Sequence, residues 1–168
     1  NESGEKEDLI LQTSKMHNSW GVHISQARDP KTKEAMGDPR YYLQLSFGLR
    51  PKNTTAKLHA FFEALDEKII AAAKENCVAW LKVKKTQADT VVNEKYRRTI
   101  AFSVDDKMQR DNKYPDSVRF KIPYDNESKM FYNMVEVYDE HENHVTTKYI
   151  EDMQKYLTKG SKDIAIVQ

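Results

Sequence analysis

The spacing of apolar residues changes at Thr54, and this change limits the fold more than any other feature of the sequence. Between Tyr41 and Gly48 apolar side chains occupy every second position, which is typical of a strand with one buried face. Between Thr54 and Asn76 they recur at intervals of three and four residues, which predicts an amphipathic helix of several turns. From Val118 to Ile122 strict alternation returns. Because strand patterns flank a long helix, the chain is predicted to be an α+β domain.

The same patterns predict the remaining elements and a partly open, antiparallel β-barrel into which the long helix is inserted. A short helix is expected from Thr86 to Tyr96, opened by a capping box of Thr86 and Asp89, and a second, C-terminal helix from Lys148 to Leu157. Two Asp-Pro pairs and a glycine predict a long exposed connection from Arg28 to Pro39. Further strands are expected at Leu9–Ser14, Val22–Ala27, Val78–Val83, Thr99–Val104 and Asp163–Val167, with a hairpin between Val118–Tyr124 and Met130–Asp139.

The length of 168 residues fits one domain, with residues 1–8 as a flexible acidic lead-in and residues 9–168 as the folded part. No apolar run reaches the ~18 residues that span a bilayer, and no leader pattern opens the sequence, so we expect an intracellular protein without a membrane partner. Cys77 is the only cysteine, which excludes an intramolecular disulfide and a cysteine-based zinc site. The sequence ends on the apolar run Ile164–Val167, and we expect a truncated C-terminus whose last strand lacks a partner.

Charge is distributed unevenly although the formal net charge is only +1. The stretch from Lys82 to Arg98 holds six basic and two acidic residues, whereas the stretch from Asp139 to Asp152 holds five acidic residues and one basic residue. A basic region of this kind attracts polyanions even when the total charge is near zero.

Motifs for catalysis are absent from the sequence: it contains no glycine-rich phosphate loop, no nucleophile elbow and no HExxH. The nearest approach to a metal site is the group Asp105, Asp106, Asp111 and Asp116, but lysines and an arginine interleave with it, so a solvated loop is expected. His141 and His144 lie in a polar turn without a helical register. We therefore predict a protein that is not an enzyme, with no catalytic residue, no metal and no cofactor.

Aromatic residues alternate with basic ones in several places. Single-stranded nucleic acid binds surfaces of this kind, because cations follow the phosphates while rings accept unstacked bases. An antiparallel strand with one buried face can show the same alternation for purely structural reasons. The predicted nucleic-acid-binding residues are Trp80, Lys82, Lys84, Lys85, Tyr96, Arg97, Arg98, Arg119, Lys121, Tyr124 and Tyr132.

Three segments resemble the single-stranded-DNA-binding proteins of nucleocytoplasmic large DNA viruses and their relatives. They are the helix end Glu75–Trp80, the alternating strand Tyr114–Pro123 and the Lys-Gly-Ser before a short apolar strand in Lys159–Ile166. The resemblance spans Tyr41–Gln168 and implies an OB-like β-barrel that coats DNA strands in replication, repair or recombination. It also implies a location in the nucleus or at a viral replication site in the cytoplasm.

A protein-interaction or scaffold module is the alternative. In that case the acidic stretch Asp139–Asp152 and the basic stretch Lys82–Arg98 dock onto partner proteins, or onto each other in a homo-oligomer. The sequence leaves the choice between DNA and RNA open, because contacts to the 2′-hydroxyl have no sequence motif.

Overall fold

The structure is a computed structural model that describes residues 10–49, 54–107, 109–131 and 135–167. Within these ranges the strands are β1 (Leu11–Gln12), β2 (Met16–Arg28), β3 (Ala35–Ser46), β4 (Ile100–Ala101), β5 (Ser117–Ile122), β6 (Tyr124–Asp125), β7 (Met130–Phe131), β8 (Val137–Tyr138), β9 (His144–Val145), β10 (Lys162–Asp163) and β11 (Ile166–Val167). The helices are α1 (Thr54–Glu75), α2 (Cys77–Leu81), α3 (Ala88–Lys95) and α4 (Ile150–Tyr156), with a 3₁₀ turn at Lys85–Gln87 before α3.

The main sheet has the strand order β10-β2-β3-β5-β4, and every neighbouring pair is antiparallel. Three smaller two-stranded sheets join β1 to β11, β6 to β7 and β8 to β9. Helices and antiparallel sheets in one chain confirm the predicted α+β class. The expectation that the last strand lacks a partner is wrong, because β11 pairs with β1 and Val167 lies opposite Leu11.

The sheet is open rather than a closed barrel. Its edges are β4 and β10, each two residues long, and within the described ranges they pair with β5 and β2 and not with each other. Closing a barrel requires the first and last strands to pair along a staggered register. Strands of two residues have too few backbone N–H and C=O groups to form the hydrogen bonds that would close a barrel.

The core lies on one face of the sheet. Tyr41, Leu43 and Leu45 of β3 face it, and so do Val118 and Ile122 of β5. Two helices cover this inner face: α1 contributes the buried Phe62, and α4 contributes the buried Met153. The predicted long helix and C-terminal helix are confirmed, and both pack on the inner face of the sheet.

The β2–β3 hairpin is longer than predicted. Strand pairing reaches Arg28 and Ala35, so half of the expected connection is strand and Asp29–Glu34 form the turn. The carboxylate of Asp29 accepts hydrogen bonds from the backbone N–H groups of Lys31 and Thr32 at 2.7 and 2.8 Å. These donors lower the pKa of Asp29, and they close the turn within a few residues, which allows its flanks to pair.

Three local predictions are wrong. The predicted strand at Val78–Val83 is the helix α2, which ends where Lys82 adopts a left-handed φ of 58°. Its alternating apolar residues do not mark a buried face, since Val78 and Trp80 are exposed and Cys77 is buried. The capping box is absent, because α3 starts after Gln87 without a side-chain cap, and the expected strand Thr99–Val104 is reduced to Ile100–Ala101.

In the described part of the chain, no helix has the combination of length and apolar character needed to cross a membrane.

Candidate nucleic-acid interface

The face of the sheet opposite the core is rich in basic side chains. Residues paired across antiparallel strands share a face, so the register places Lys121 beside Tyr42, Arg119 beside Gln44, and Lys162 beside His17. Arg40 and His23 follow on the same face by their pairing with Ser25 and Tyr42. We call this surface the basic sheet face: His17, His23, Arg40, Tyr42, Gln44, Arg119, Lys121 and Lys162. Among the described cross-strand pairs of this face there is no aspartate and no glutamate.

Arg119 lies at the centre of the basic sheet face. Its guanidinium carbon is 5.4 Å from the centre of the Tyr42 ring, and its Nη2 donates to Gln44 Oε1 at 3.3 Å. Gln44 is itself held by a hydrogen bond from its Nε2 to Ser117 Oγ at 2.9 Å. Both partners of Arg119 are neutral, so they orient the guanidinium without cancelling its charge.

The alternation predicted for β5 is confirmed. Arg119 and Lys121 are exposed, whereas Val118 and Ile122 are buried and Phe120 is half-buried against the core. A cleft of about 260 Å³ lies at one end of the basic sheet face, where Arg40 and Lys121 line it together with Asp38 and Tyr124. Asp38 places one carboxylate at the margin of the basic region.

The predicted basic residues of the helical segment lie in a different layer. Helices α2 and α3 both contact α1, and α1 packs on the inner face of the sheet. Here Trp80, Lys82, Lys84 and Lys85 are exposed. Arg119 and Lys121 point away from this layer. The two groups are therefore carried by different layers of the fold.

Two arginines of the helical segment are engaged locally. Arg98 forms an ion pair with Glu67 at 2.8 Å, and Arg97 donates to the backbone carbonyl of Glu94 at 2.9 Å. Both side chains are exposed. They are accessible to a ligand, but each already has a partner within the protein.

Tyr96 has a structural contact instead of an open ring. Its hydroxyl donates to Asp66 at 2.7 Å, and the backbone N–H and hydroxyl of Thr99 donate to the same carboxylate. Asp66 is only 1% exposed, so these donors replace the water that the carboxylate has lost. Burial, followed by the bond to Asp66, raises the pKa of Tyr96 to about 12. The network ties the end of α3 to α1.

Tyr124 is also committed to packing. Its ring centre is 4.3 Å from that of Tyr41 and 5.0 Å from that of Phe131, in tilted and edge-to-face arrangements. Tyr132, the last predicted stacking residue, lies outside the described residues. Tyr42, by contrast, is a tyrosine that the register places beside Lys121 and Arg119, and the sequence analysis did not select it.

Trp20 is a second aromatic residue that the sequence analysis missed. It is 60% exposed, and the ammonium of Lys159 is 5.6 Å from the centre of its ring. The two residues are far apart in the sequence, so interleaving of neighbouring aromatic and basic residues could not find this pair.

The aspartates of the loop 105–116 bind local partners. Asp105 accepts from the backbone of Lys107 and Gln109, both at 2.8 Å, and Asp116 contacts His59 at 2.8 Å and accepts from Arg110. Hydrogen bonds from the Ser103 hydroxyl and the Lys113 backbone lower the pKa of Asp111. Among the residues that the structure describes, no cluster of three or more His, Cys, Asp or Glu side chains could hold a metal ion.

Comparison of the chain with family models, with curated proteins and with solved structures gives no match.

Proposed function

We propose that the protein binds single-stranded nucleic acid, with DNA as the first candidate, on the basic sheet face and without chemistry of its own. The observation that supports this proposal is the cross-strand register, which gathers Arg40, Arg119, Lys121 and Lys162 on one face together with Tyr42. Cations spaced along a surface follow a phosphate backbone, and a ring between them accepts a base.

The arrangement favours a single strand over a duplex. Tyr42 is half-buried between neighbouring strands, with Arg119 beside its ring, so a base must be unstacked to reach it. The bases of a duplex are stacked on each other and present only their edges in the grooves. A flexible single strand can place phosphates on the lysines and arginines and one base on the ring.

The resemblance described above adds the biological setting to this proposal: coating of DNA strands in replication, repair or recombination, at a nuclear or viral replication site. It also implies an OB-like barrel. In that arrangement β2, β3 and β5 would form the wall that faces the nucleic acid.

Salt dependence tests the proposal. Neutralising four phosphates with these four cations gives a slope of log K against log salt of about −3, at roughly −0.7 per phosphate for a single strand. We expect fluorescence-anisotropy titrations of labelled oligo(dT) to give this slope. The salt concentration is varied from about 50 to 200 mM, the range in which phosphate contacts weaken.

A matched pair of variants separates the basic sheet face from charge in general. Arg119→Gln combined with Lys121→Gln removes two exposed cations from the face, whereas Lys84→Gln combined with Lys85→Gln removes two from the helical layer. The first variant should lower the magnitude of the slope by about 1.4 and the second should leave it unchanged. Absence of binding by the unmodified protein at low salt, or an equal loss in both variants, would contradict the proposal.

A protein-interaction module is the second candidate, and the helical layer favours it. Val78 and Trp80 of α2 are 60% and 59% exposed, beside the exposed Lys82. Exposed apolar side chains next to a cation suit a protein partner with an acidic, partly apolar surface. Trp80→Ala should weaken such a complex and should leave oligonucleotide binding on the basic sheet face intact.

A further inference from the structure

Trp20 extends from an irregular part of β2. The residues between Asn18 and Val22 stand opposite a single residue of β3, because Asn18 pairs with Leu45 and Val22 with Leu43. Such a bulge redirects a side chain that regular pairing would place elsewhere. Here it presents an indole that is 60% exposed.

The bulge is held firmly by Asn18, which is 0% exposed. Its side-chain oxygen accepts from the backbone N–H of Gly21 at 2.8 Å, and its amide nitrogen donates to Asp163 at 2.8 Å. Its backbone pairs with Gly160 and Ser161 at 2.8 and 2.9 Å. The segment that carries Lys159 is thereby fixed against the bulge that carries Trp20.

Gly21 allows this close approach. Its φ is +73°, and a Cβ atom at this position would lie 3.1 Å from the carbonyl oxygen of Leu157 and 3.2 Å from the backbone nitrogen of Lys159. A side chain would push the two segments apart. The backbone that carries the indole and the ammonium is therefore already in place, so the backbone need not be ordered when a ligand arrives.

The Trp20 site adjoins the basic sheet face. The bulge stands opposite Gln44, and Gln44 pairs on its other side with Arg119. Two strand spacings, roughly 10 Å, therefore separate the backbone of Trp20 from that of Arg119. A strand of nucleic acid bound at Arg119 and Tyr42 can reach the indole by passing from β3 to β2.

We propose that Trp20 and Lys159 form a stacking site for one nucleobase and its phosphate, at the β10 side of the basic sheet face. This inference rests on the proposed function, since it concerns the same bound strand. The ring accepts the base, and the ammonium beside the ring lies within reach of the phosphate that follows it.

The two tryptophans of the chain provide a matched test, because Trp20 and Trp80 are 60% and 59% exposed. Trp80→Phe leaves Trp20 as the only indole, and Trp20→Phe leaves Trp80. On titration with oligo(dT), the fluorescence of the Trp80→Phe protein should be quenched and that of the Trp20→Phe protein should stay constant. Quenching of Trp80 alone, or of both to the same extent, overturns the assignment.

Affinity gives an independent measurement. Trp20→Ala should weaken binding roughly 5- to 150-fold, the range found when one stacked ring is removed, while Trp20→Phe restores most of it because a ring remains. Trp80→Ala should have no effect on the affinity, and Lys159→Gln should lower the magnitude of the salt slope by about 0.7. Circular dichroism of each variant verifies that it is folded.

The failure of this inference is distinct from the failure of the proposed function. If oligonucleotide binding depends on Arg119 and Lys121 but not on Trp20, the basic sheet face is supported and the stacking site is refuted. If the unmodified protein does not bind oligonucleotide, both the proposed function and the stacking site are refuted.

Discussion

Replacing Tyr96 with phenylalanine removes one hydrogen bond to the buried carboxylate of Asp66 and keeps the ring. The lost bond is 2.7 Å long and its acceptor is only 1% exposed. A hydrogen bond to a charged group contributes about 1.5–3 kcal/mol to stability. With a urea m value of about 1–3 kcal/mol per molar for a protein of this class, the midpoint of unfolding should fall by roughly 1 M at neutral pH.

At high pH the free energy of unfolding should fall less in Tyr96→Phe than in the wild type. Burial and Asp66 raise the pKa of Tyr96 from 10.0 to about 12, so the folded chain favours the neutral phenol. The resulting stabilisation is fully present below pH 10 and is lost as the pH rises through 12. At pH 11 the wild type has lost about 1.4 kcal/mol from this group, a loss that Tyr96→Phe cannot suffer. Tyr41, whose pKa burial also raises to about 12, contributes equally to both proteins and cancels.

Urea unfolding at pH 7, 9 and 11, followed by circular dichroism, measures this difference. We expect the gap in free energy of unfolding between wild type and Tyr96→Phe to narrow by about 1.4 kcal/mol between pH 7 and 11. Tyr114→Phe is the control, because Tyr114 is 63% exposed and its variant should follow the wild type at each pH. A constant gap would refute the assignment of Tyr96 to the Asp66 network.

Two further predictions concern packing. Phe62→Ala should cost about 3–5 kcal/mol of stability in urea unfolding, because Phe62 is 3% exposed in the core, whereas Phe61→Ala should cost less than about half of that, because Phe61 is 40% exposed. Equal losses would mean that α1 packs on the sheet by another face. Gly21→Ala should destabilise the protein more than Gly37→Ala, as both glycines have positive φ but only Gly21 has atoms within 4 Å of the added carbon. The difference in unfolding midpoints isolates crowding at the bulge, and a difference of zero would contradict the close approach of β2 and Leu157–Lys159.

Elements with a long regular pattern were predictable from the sequence. The helix α1 and the strand β5 follow their apolar spacing: β5 alternates buried with exposed residues, and α1 packs Leu58, Phe62 and Leu65 against the core. The short run from Val78 to Val83 misled the analysis, since alternation over so few residues fits a strand and a helix turn equally well. The helical form of this run is accompanied by contact between α2 and α1 and by burial of Cys77, neither of which the spacing reveals.

The candidate site was predictable only where it lies within one strand. Arg119 and Lys121 point outward as their alternation indicates, but their neighbours Arg40, Tyr42 and Lys162 are brought to them by strand register. Register depends on pairing between distant segments, and spacing along one segment does not reveal it. For the same reason, the basic-aromatic pattern of its own segment could not reveal that Tyr96 is bound to Asp66 and is therefore not an open stacking ring.

The pairing of β1 with β11 and of β2 with β10 joins residues near 11 and 17 to residues near 167 and 162. Contacts between such distant parts of a chain form slowly, because a large loop must close before they are made. On the ribosome, the β2 edge of the main sheet stays unpaired until residue 162 has left the exit tunnel. We therefore expect the hairpin β2–β3 to assemble before β10 emerges, and the Trp20 bulge to acquire its final shape only after β10 has paired with β2.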